Sequence, residues 1–376
     1  MPSPRLPKEL LTEIFTLLSP NIDALEHHFG RSTLFECSLV SRDWHTAALP
    51  LIWSYLRIDC YNLSSKRTFE RLASSMTGAP QILARGIGLV ANIELIVPPI
   101  GVEPNLSELL PSIVQTLQLF SRDQLRRIDI SYMHHRNNTF FSALLSTLFP
   151  LICGLQHLEI YGISSIPTNR QDFPASFDRI FSLEKVENFS LSSLNTIPPE
   201  YLLGCLRTRG PQLRRLNITN CQSLLCESIL RAVTDHCPNL TTLELRLHRS
   251  HVNPSLRQDI TENTLCRLID LCPRLKELRL FNIYAVSNIF LAHCAGRAHC
   301  MRALYIHDFL FRTTGEGVVD LSAWEGIREL VITHHENAWN DVKMDARFVW
   351  EVERQTHGLT VCQLGRDCVS RMSLGE

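Results

Sequence analysis

The sequence predicts an α/β chain: a small three-helix domain, then a curved solenoid with parallel strands on its concave face and helices on its convex face. Three observations predict it. First, apolar triplets of the form L-x-x-L-x-L recur from residue 90 onward, at Val90/Ile93/Leu95, Leu125/Ile128/Ile130, Leu155/Leu158/Ile160, Val186/Phe189/Leu191, Leu213/Leu216/Ile218, Leu240/Leu243/Leu245, Leu275/Leu278/Leu280, Met301/Leu304/Ile306, Ile327/Leu330/Ile332 and, more weakly, Leu359/Cys362/Leu364. Second, the steps between first residues are 35, 30, 31, 27, 27, 35, 26, 26 and 32, so four of the nine fall at 26 or 27 and the others fit the same unit with added loop. Third, residues 5–53 do not follow this pattern and instead show three short helical runs.

The segment Leu213 to Leu240 shows one whole unit. A strand triplet is followed by Cys221, then by a run with Leu225, Ile229, Leu230 and Val233 at helical spacing, then by Cys237-Pro238. Strand, turn, helix and return to the strand form one repeat. A single repeat cannot cover its own apolar face, so copies must stack and share a core. A period near 26, with Cys after the strand and Cys-Pro before the next, resembles the cysteine-containing leucine-rich repeat.

In the N-terminal fifty residues, Pro7 and Glu9 suit the first turn of a helix, and Leu10, Leu11, Ile14, Leu17 and Leu18 give it an apolar face. Leu34 to Val40 reads as a second short helix with Ser32 or Thr33 as cap. Ser41 caps a third, which Pro50 closes. Leu6-Pro7-x-Glu9-Leu10-Leu11-x-x-Ile14-x-x-x-Leu18, then Leu39-Val40-Ser41-Arg42-x-Trp44, then Leu49-x-x-x-Trp53, resembles an F-box. Joined to repeats of this kind, the chain resembles the F-box/leucine-rich-repeat proteins, substrate receptors of SCF (Skp–cullin–F-box) ubiquitin ligases. The expected division is an F-box at 5–53, a linker and N-terminal cap at 54–88, and the leucine-rich-repeat domain at 89–376. The interval Ser19 to Thr33 is longer than the expected link between the first two helices.

The resemblance implies a non-catalytic receptor that binds the Skp adaptor, and through it cullin and RING subunits, and that presents an unidentified protein substrate. Carried over, the adaptor contacts are Leu6, Pro7, Leu10, Ile14, Leu39, Val40, Trp44 and Trp53. The alternative is a leucine-rich-repeat scaffold whose vestigial F-box recruits no ligase. Within each strand, residues alternating with the buried triplet face the concave surface. That places Arg246, Glu277, Arg279, Phe281, Tyr305 and His307 there, and exposed aromatics beside arginines are frequent anchors of protein recognition. These six are the expected substrate contacts.

Composition fits this reading. The net charge is −1 and the pI near 6.9, so no basic field points to nucleic acid or an anionic membrane. No apolar run reaches the roughly 18 residues a span needs, and Lys8, Glu9 and Glu13 interrupt the N-terminus in a way a signal peptide would not. An odd count of 13 cysteines, several at repeat-equivalent positions, indicates reduced thiols and a cytoplasmic or nuclear protein. His293-Cys294 and His299-Cys300 form the sharpest metal-like cluster, but zinc prefers four ligands in two spaced pairs. No nucleotide-binding loop, nucleophile elbow or H-E-x-x-H is present. The expectation is no metal, no cofactor and no catalytic residue.

Overall fold

The computed structural model describes residues 7–18, 27–59, 90–97, 111, 114, 120–121, 124–133, 148–163, 181–194, 197–247, 259–283, 285–308, 326–334, 361–364 and 368–370. The chain divides into two compact units, Met1–Leu155 and Gln156–Glu376.

The first unit opens with three helices, α1 (Lys8–Leu18), α2 (His27–Ser38) and α3 (Arg42–Trp53). The Leu11 N–H donates to the Pro7 carbonyl at 3.1 Å, which starts α1. Ser41 takes an extended conformation, and its hydroxyl accepts the Trp44 N–H at 3.3 Å, capping α3 as expected. Two boundaries differ from the expectation. Helix α2 begins at His27, so residues 27–33 of the supposed long interval are helical, and Ser32 and Thr33 lie inside the helix rather than at its cap. Gly30 costs only about 1 kcal/mol there, which packing of α2 on α3 around Leu34 outweighs. Nor does Pro50 close α3, which runs on to Trp53. Proline removes one backbone bond, and the packing of Leu51 and Ile52 on the helical core holds the final turn.

That core is Leu11 and Phe15 from α1, Leu34 from α2, and Ala47 and Ala48 from α3. Trp44 closes one side, its ring edge-on to Phe15 at 5.4 Å. Ser54 ends α3, donating its hydroxyl to the Leu51 carbonyl at 2.8 Å, and at the same time starts a sheet. Strand β1 (Tyr55–Asp59) follows at once and pairs in parallel with β2 (Asn92–Val97), which pairs with β3 (Arg127–Met133). Leu56 stands beside Ile93 and Ile58 beside Leu95. The segment expected to be linker and cap therefore begins with a strand in repeat register; residues 60–89 lie outside the described residues.

The second unit runs β4 (His157–Ile163), β5 (Asn188–Ser192), α4 (Pro199–Arg209), β6 (Arg215–Thr219), α5 (Glu227–His236), β7 (Thr242–Arg246), α6 (Glu262–Leu271), β8 (Glu277–Phe281), α7 (Asn288–Arg297), β9 (Ala303–Asp308), β10 (Glu329–His334), β11 (Val361–Leu364) and β12 (Cys368–Ser370). Strands β4 to β11 are parallel neighbours in chain order, and β12 turns back antiparallel on β11. The middle apolar position stays in register throughout: Leu158, Phe189, Leu216, Leu243, Leu278, Leu304 and Leu330. In all nine strong triplets, every side chain is buried, none above 8% exposed.

Backbone stitching repeats with the same period. The carbonyls of Glu187, Arg214, Thr241, Lys276 and Arg302 each accept two successive N–H groups from the next strand. Cys221, Cys237 and Cys272 are buried in the solenoid interior, where burial pushes the thiols of Cys221 and Cys272 up to about 12. Among the described residues no helix is long and apolar enough to cross a membrane.

Candidate functional site

The strand positions that alternate with the buried triplets form three columns across the second unit. From β6 to β10 the first reads Arg215, Thr242, Glu277, Ala303, Glu329; the second Asn217, Glu244, Arg279, Tyr305, Val331; the third Thr219, Arg246, Phe281, His307, Thr333. The six expected substrate contacts all lie in these columns on β7, β8 and β9. All six are half-buried, as sheet-face side chains must be when their neighbours lean on them.

Parallel register brings these side chains into contact. The Arg246 guanidinium lies over the Phe281 ring, Cζ 3.9 Å from its centroid, and Phe281 stands beside the His307 ring at 6.4 Å with 32° between planes. One column over, the Arg279 guanidinium lies 4.6 Å from the centroid of Tyr305, whose hydroxyl donates to the Glu329 carboxylate. Each arginine also meets the glutamate two residues before it on its own strand. Arg279 Nε donates to Glu277 Oε1 at 2.5 Å, and Arg246 Nε lies 3.1 Å from Glu244 Oε1, though without hydrogen-bond alignment. The stacking fixes guanidinium planes that would otherwise sample many rotamers. Glu244 and Glu329 join the site through these contacts; both stood at sheet-face positions, but only register reveals what they touch.

The second site is the helical surface of the first unit. Leu11 and Phe15 take the inner face of α1, leaving Pro7, Leu10 and Ile14 on the outside. Leu39 and Val40, in the turn between α2 and α3, are 71% and 64% exposed. Leu10, Ile14 and Leu17 share one α-helical stripe, and Leu17 is 86% exposed. The structure thus splits the eight expected adaptor contacts. Pro7, Leu10, Ile14, Leu39 and Val40 are open; Trp44 and Trp53 are half-buried, Trp44 within the helical core; Leu6 lies outside the described residues. Two exposed apolar residues, Leu17 and Phe35, extend the open set. Phe35 next to core-forming Leu34 is the signal that finds it.

The His/Cys cluster at 293–300 does not converge. Cys294 is fully buried, His293 pairs with Asp270 at 3.1 Å, and His299 and Cys300 are exposed. Among the described residues no three His, Cys, Asp or Glu side chains group as metal ligands would.

Comparison with known proteins gives three findings. Residues 3–59 match the F-box-like family. No curated protein sequence matches the chain. Among solved structures, a chain of the Rad7–Elc1 complex of yeast is similar over 97% of this chain and 91% of its own length, with TM-score 0.55 and 14% identity. The leucine-rich repeat-containing protein LegL7 of Legionella pneumophila aligns over 81% of this chain and 91% of its own, with TM-score 0.37 and 11% identity. The likeness to the Rad7–Elc1 structure is one of fold.

Proposed function

We propose that this chain, an F-box-like domain joined to a leucine-rich-repeat solenoid, is the substrate receptor of an SCF-type ubiquitin ligase. Its open apolar surface on α1 and the α2–α3 turn docks the Skp adaptor, which brings cullin and RING subunits, and its sheet face takes the protein substrate. The receptor supplies no catalytic group. It holds substrate at high effective concentration beside a ubiquitin-charged enzyme bound elsewhere in the assembly. Such a role belongs in the cytoplasm or nucleus.

The observation that carries this reading is the exposed apolar set Leu10, Ile14, Leu39 and Val40 on the domain that matches the F-box-like family. Helices that bury Leu11 and Phe15 for their own core have no folding use for a second apolar stripe in water; a protein partner gives it one. That the similar yeast structure is a complex, Rad7 with Elc1, supports an adaptor-binding role.

Co-purification with the Skp adaptor tests it. The informative variant is Leu10→Glu/Val40→Glu, because both side chains are exposed and the fold keeps its core. Trp44→Ala would instead open the helical core beside Phe15. The parent chain is expected to retain the adaptor and the double variant to lose it at least thirtyfold, about 2 kcal/mol, with an unchanged unfolding midpoint. A parent chain that binds no adaptor would leave the scaffold reading in its place.

A further inference from the structure

We propose that the Arg246–Arg279 region of the sheet face binds an acidic, unphosphorylated segment of a protein partner. The partner's carboxylates would sit on the outer nitrogens of the two guanidinium groups, and its apolar side chains over Phe281 and Tyr305. This rests on the reading of the sheet face as the substrate surface and names the chemistry of the substrate.

The sign of the partner follows from which charges reach solvent. In each ion pair the arginine stands outside and the glutamate beneath it. Side-chain exposure is 41% for Arg246 against 13% for Glu244, and 37% for Arg279 against 25% for Glu277. Both glutamates lie against the Nε side of their arginines. The Nη groups of both arginines make no hydrogen bond among the described residues. At each of these two pairs a ligand therefore meets the arginine's unspent Nη groups before it meets the glutamate. The guanidinium planes are already set by stacking on Phe281 and Tyr305, so little freedom is lost when they accept a second anion. A basic segment would have to displace the arginines to reach the glutamates.

The third column sharpens this. From β6 to β10 it reads Thr219, Arg246, Phe281, His307, Thr333 and holds no carboxylate. Among the described residues of these columns, acidic side chains occur only in the first two, toward the strands' N-terminal ends. Strands lie about 4.8 Å apart and alternate residues nearly 7 Å, so an extended peptide of a few residues can contact both arginines and the Phe281 ring together.

Total charge decides between a carboxylate and a phosphate. Each guanidinium carries one positive charge, already opposed by the glutamate at its Nε. A carboxylate adds one negative charge beside those glutamates, whereas a phosphoserine adds about 1.5 to 2 and so meets a larger repulsion for the same donors. The donors suit either anion, and the one of smaller charge meets the smaller repulsion.

The test uses the full chain and three labelled decapeptide pools, degenerate except for a central pair fixed as Glu-Glu, phosphoserine-phosphoserine or Lys-Lys, read by fluorescence anisotropy. The Glu-Glu pool is expected to bind at least tenfold tighter than either other pool. Arg246→Gln/Arg279→Gln should erase that preference while the thermal midpoint stays unchanged, since glutamine keeps a stem over each ring. Phe281→Ala/Tyr305→Ala should weaken the Glu-Glu pool tenfold and leave folding intact. Equal binding of the three pools, preference for phosphoserine or lysine, or an undiminished preference in the glutamine variant would overturn the inference. Adaptor co-purification on the same preparation separates the two readings. Adaptor binding without peptide discrimination defeats this inference alone, and discrimination without adaptor binding defeats the ligase reading alone.

Discussion

Glu227 is the first residue of α5, yet its carboxylate serves the next helix. It accepts the N–H of Thr261 at 2.9 Å and the hydroxyl of Thr264, and it holds Arg231 Nε at 2.8 Å. Thr261 is the cap of α6, so the side chain from one repeat satisfies otherwise orphaned donors at the start of the following one. Burial raises its pKa, but the bonds from Thr264, the Thr261 N–H and Arg231 together outweigh burial and leave it below the usual carboxylate value. A depressed folded-state pKa gives stability that is present above the unfolded-state value, near 4.3, and is lost as pH falls through the folded one. Glu227→Gln should therefore cost about 1–3 kcal/mol at pH 7, and the gap to the parent should narrow in denaturant titrations near pH 3. A gap of equal size at both pH values would show that charge contributes nothing. The cysteines make a second residue-scale case. Burial holds Cys221 and Cys272 near pKa 12 and lifts Cys237 and Cys294 as well, so these four lack the thiolate that alkylation needs. Iodoacetamide at pH 8 should label exposed Cys300 in minutes and those four only after denaturation, as read by mass spectrometry of the peptides.

At the scale of elements, Gly210 shows how closely neighbouring repeats meet. It ends α4 against the last turn of α5, and a Cβ there would lie 2.4 Å from the His236 carbonyl oxygen and 2.7 Å from its carbon. Backbone cannot rotate aside, so Gly210→Ala should lower stability by about 1–3 kcal/mol in urea unfolding. Gly204, exposed inside the same helix with open space around it, is the control: Gly204→Ala should raise stability by up to about 1 kcal/mol. The strands were legible in the sequence because two periods coincide there, alternation within each strand and repetition between strands. The same template also fits Trp53/Leu56/Ile58 at the start of β1, where it overlaps the end of α3 and so reads as helix. Helix limits were less legible, because packing on α3 extended α2 through Gly30 and carried α3 past Pro50. In α1, periodicity marks Leu10, Leu11, Ile14, Leu17 and Leu18 as apolar but cannot say which stripe faces inward. Only the assembled helices show Leu11 and Phe15 inside with Leu10, Ile14 and Leu17 out. The sheet-face site divides similarly. Parity alone gave Arg246, Arg279, Phe281 and Tyr305, but which arginine covers which ring depends on register across repeats of unequal length.

For the whole molecule, the two proposed surfaces belong to different compact units, the helical surface to Met1–Leu155 and the arginine–aromatic face to Gln156–Glu376. They share no side chain, so substitutions in one should leave binding at the other unchanged. Their joint effect is not additive in the same sense, because a receptor acts only when one chain holds both partners. Tethering, not either affinity alone, raises the local substrate concentration. In a reconstituted ligase reaction with a reporter that carries an acidic segment, Leu10→Glu/Val40→Glu and Arg246→Gln/Arg279→Gln should each reduce ubiquitin transfer at least tenfold. Mixing the two variant proteins should restore nothing, since one then holds the ligase and the other the reporter, with no covalent link between them. Recovery of transfer on mixing would mean that the surfaces work on separate chains, and the receptor mechanism would fail even if both binding measurements succeeded.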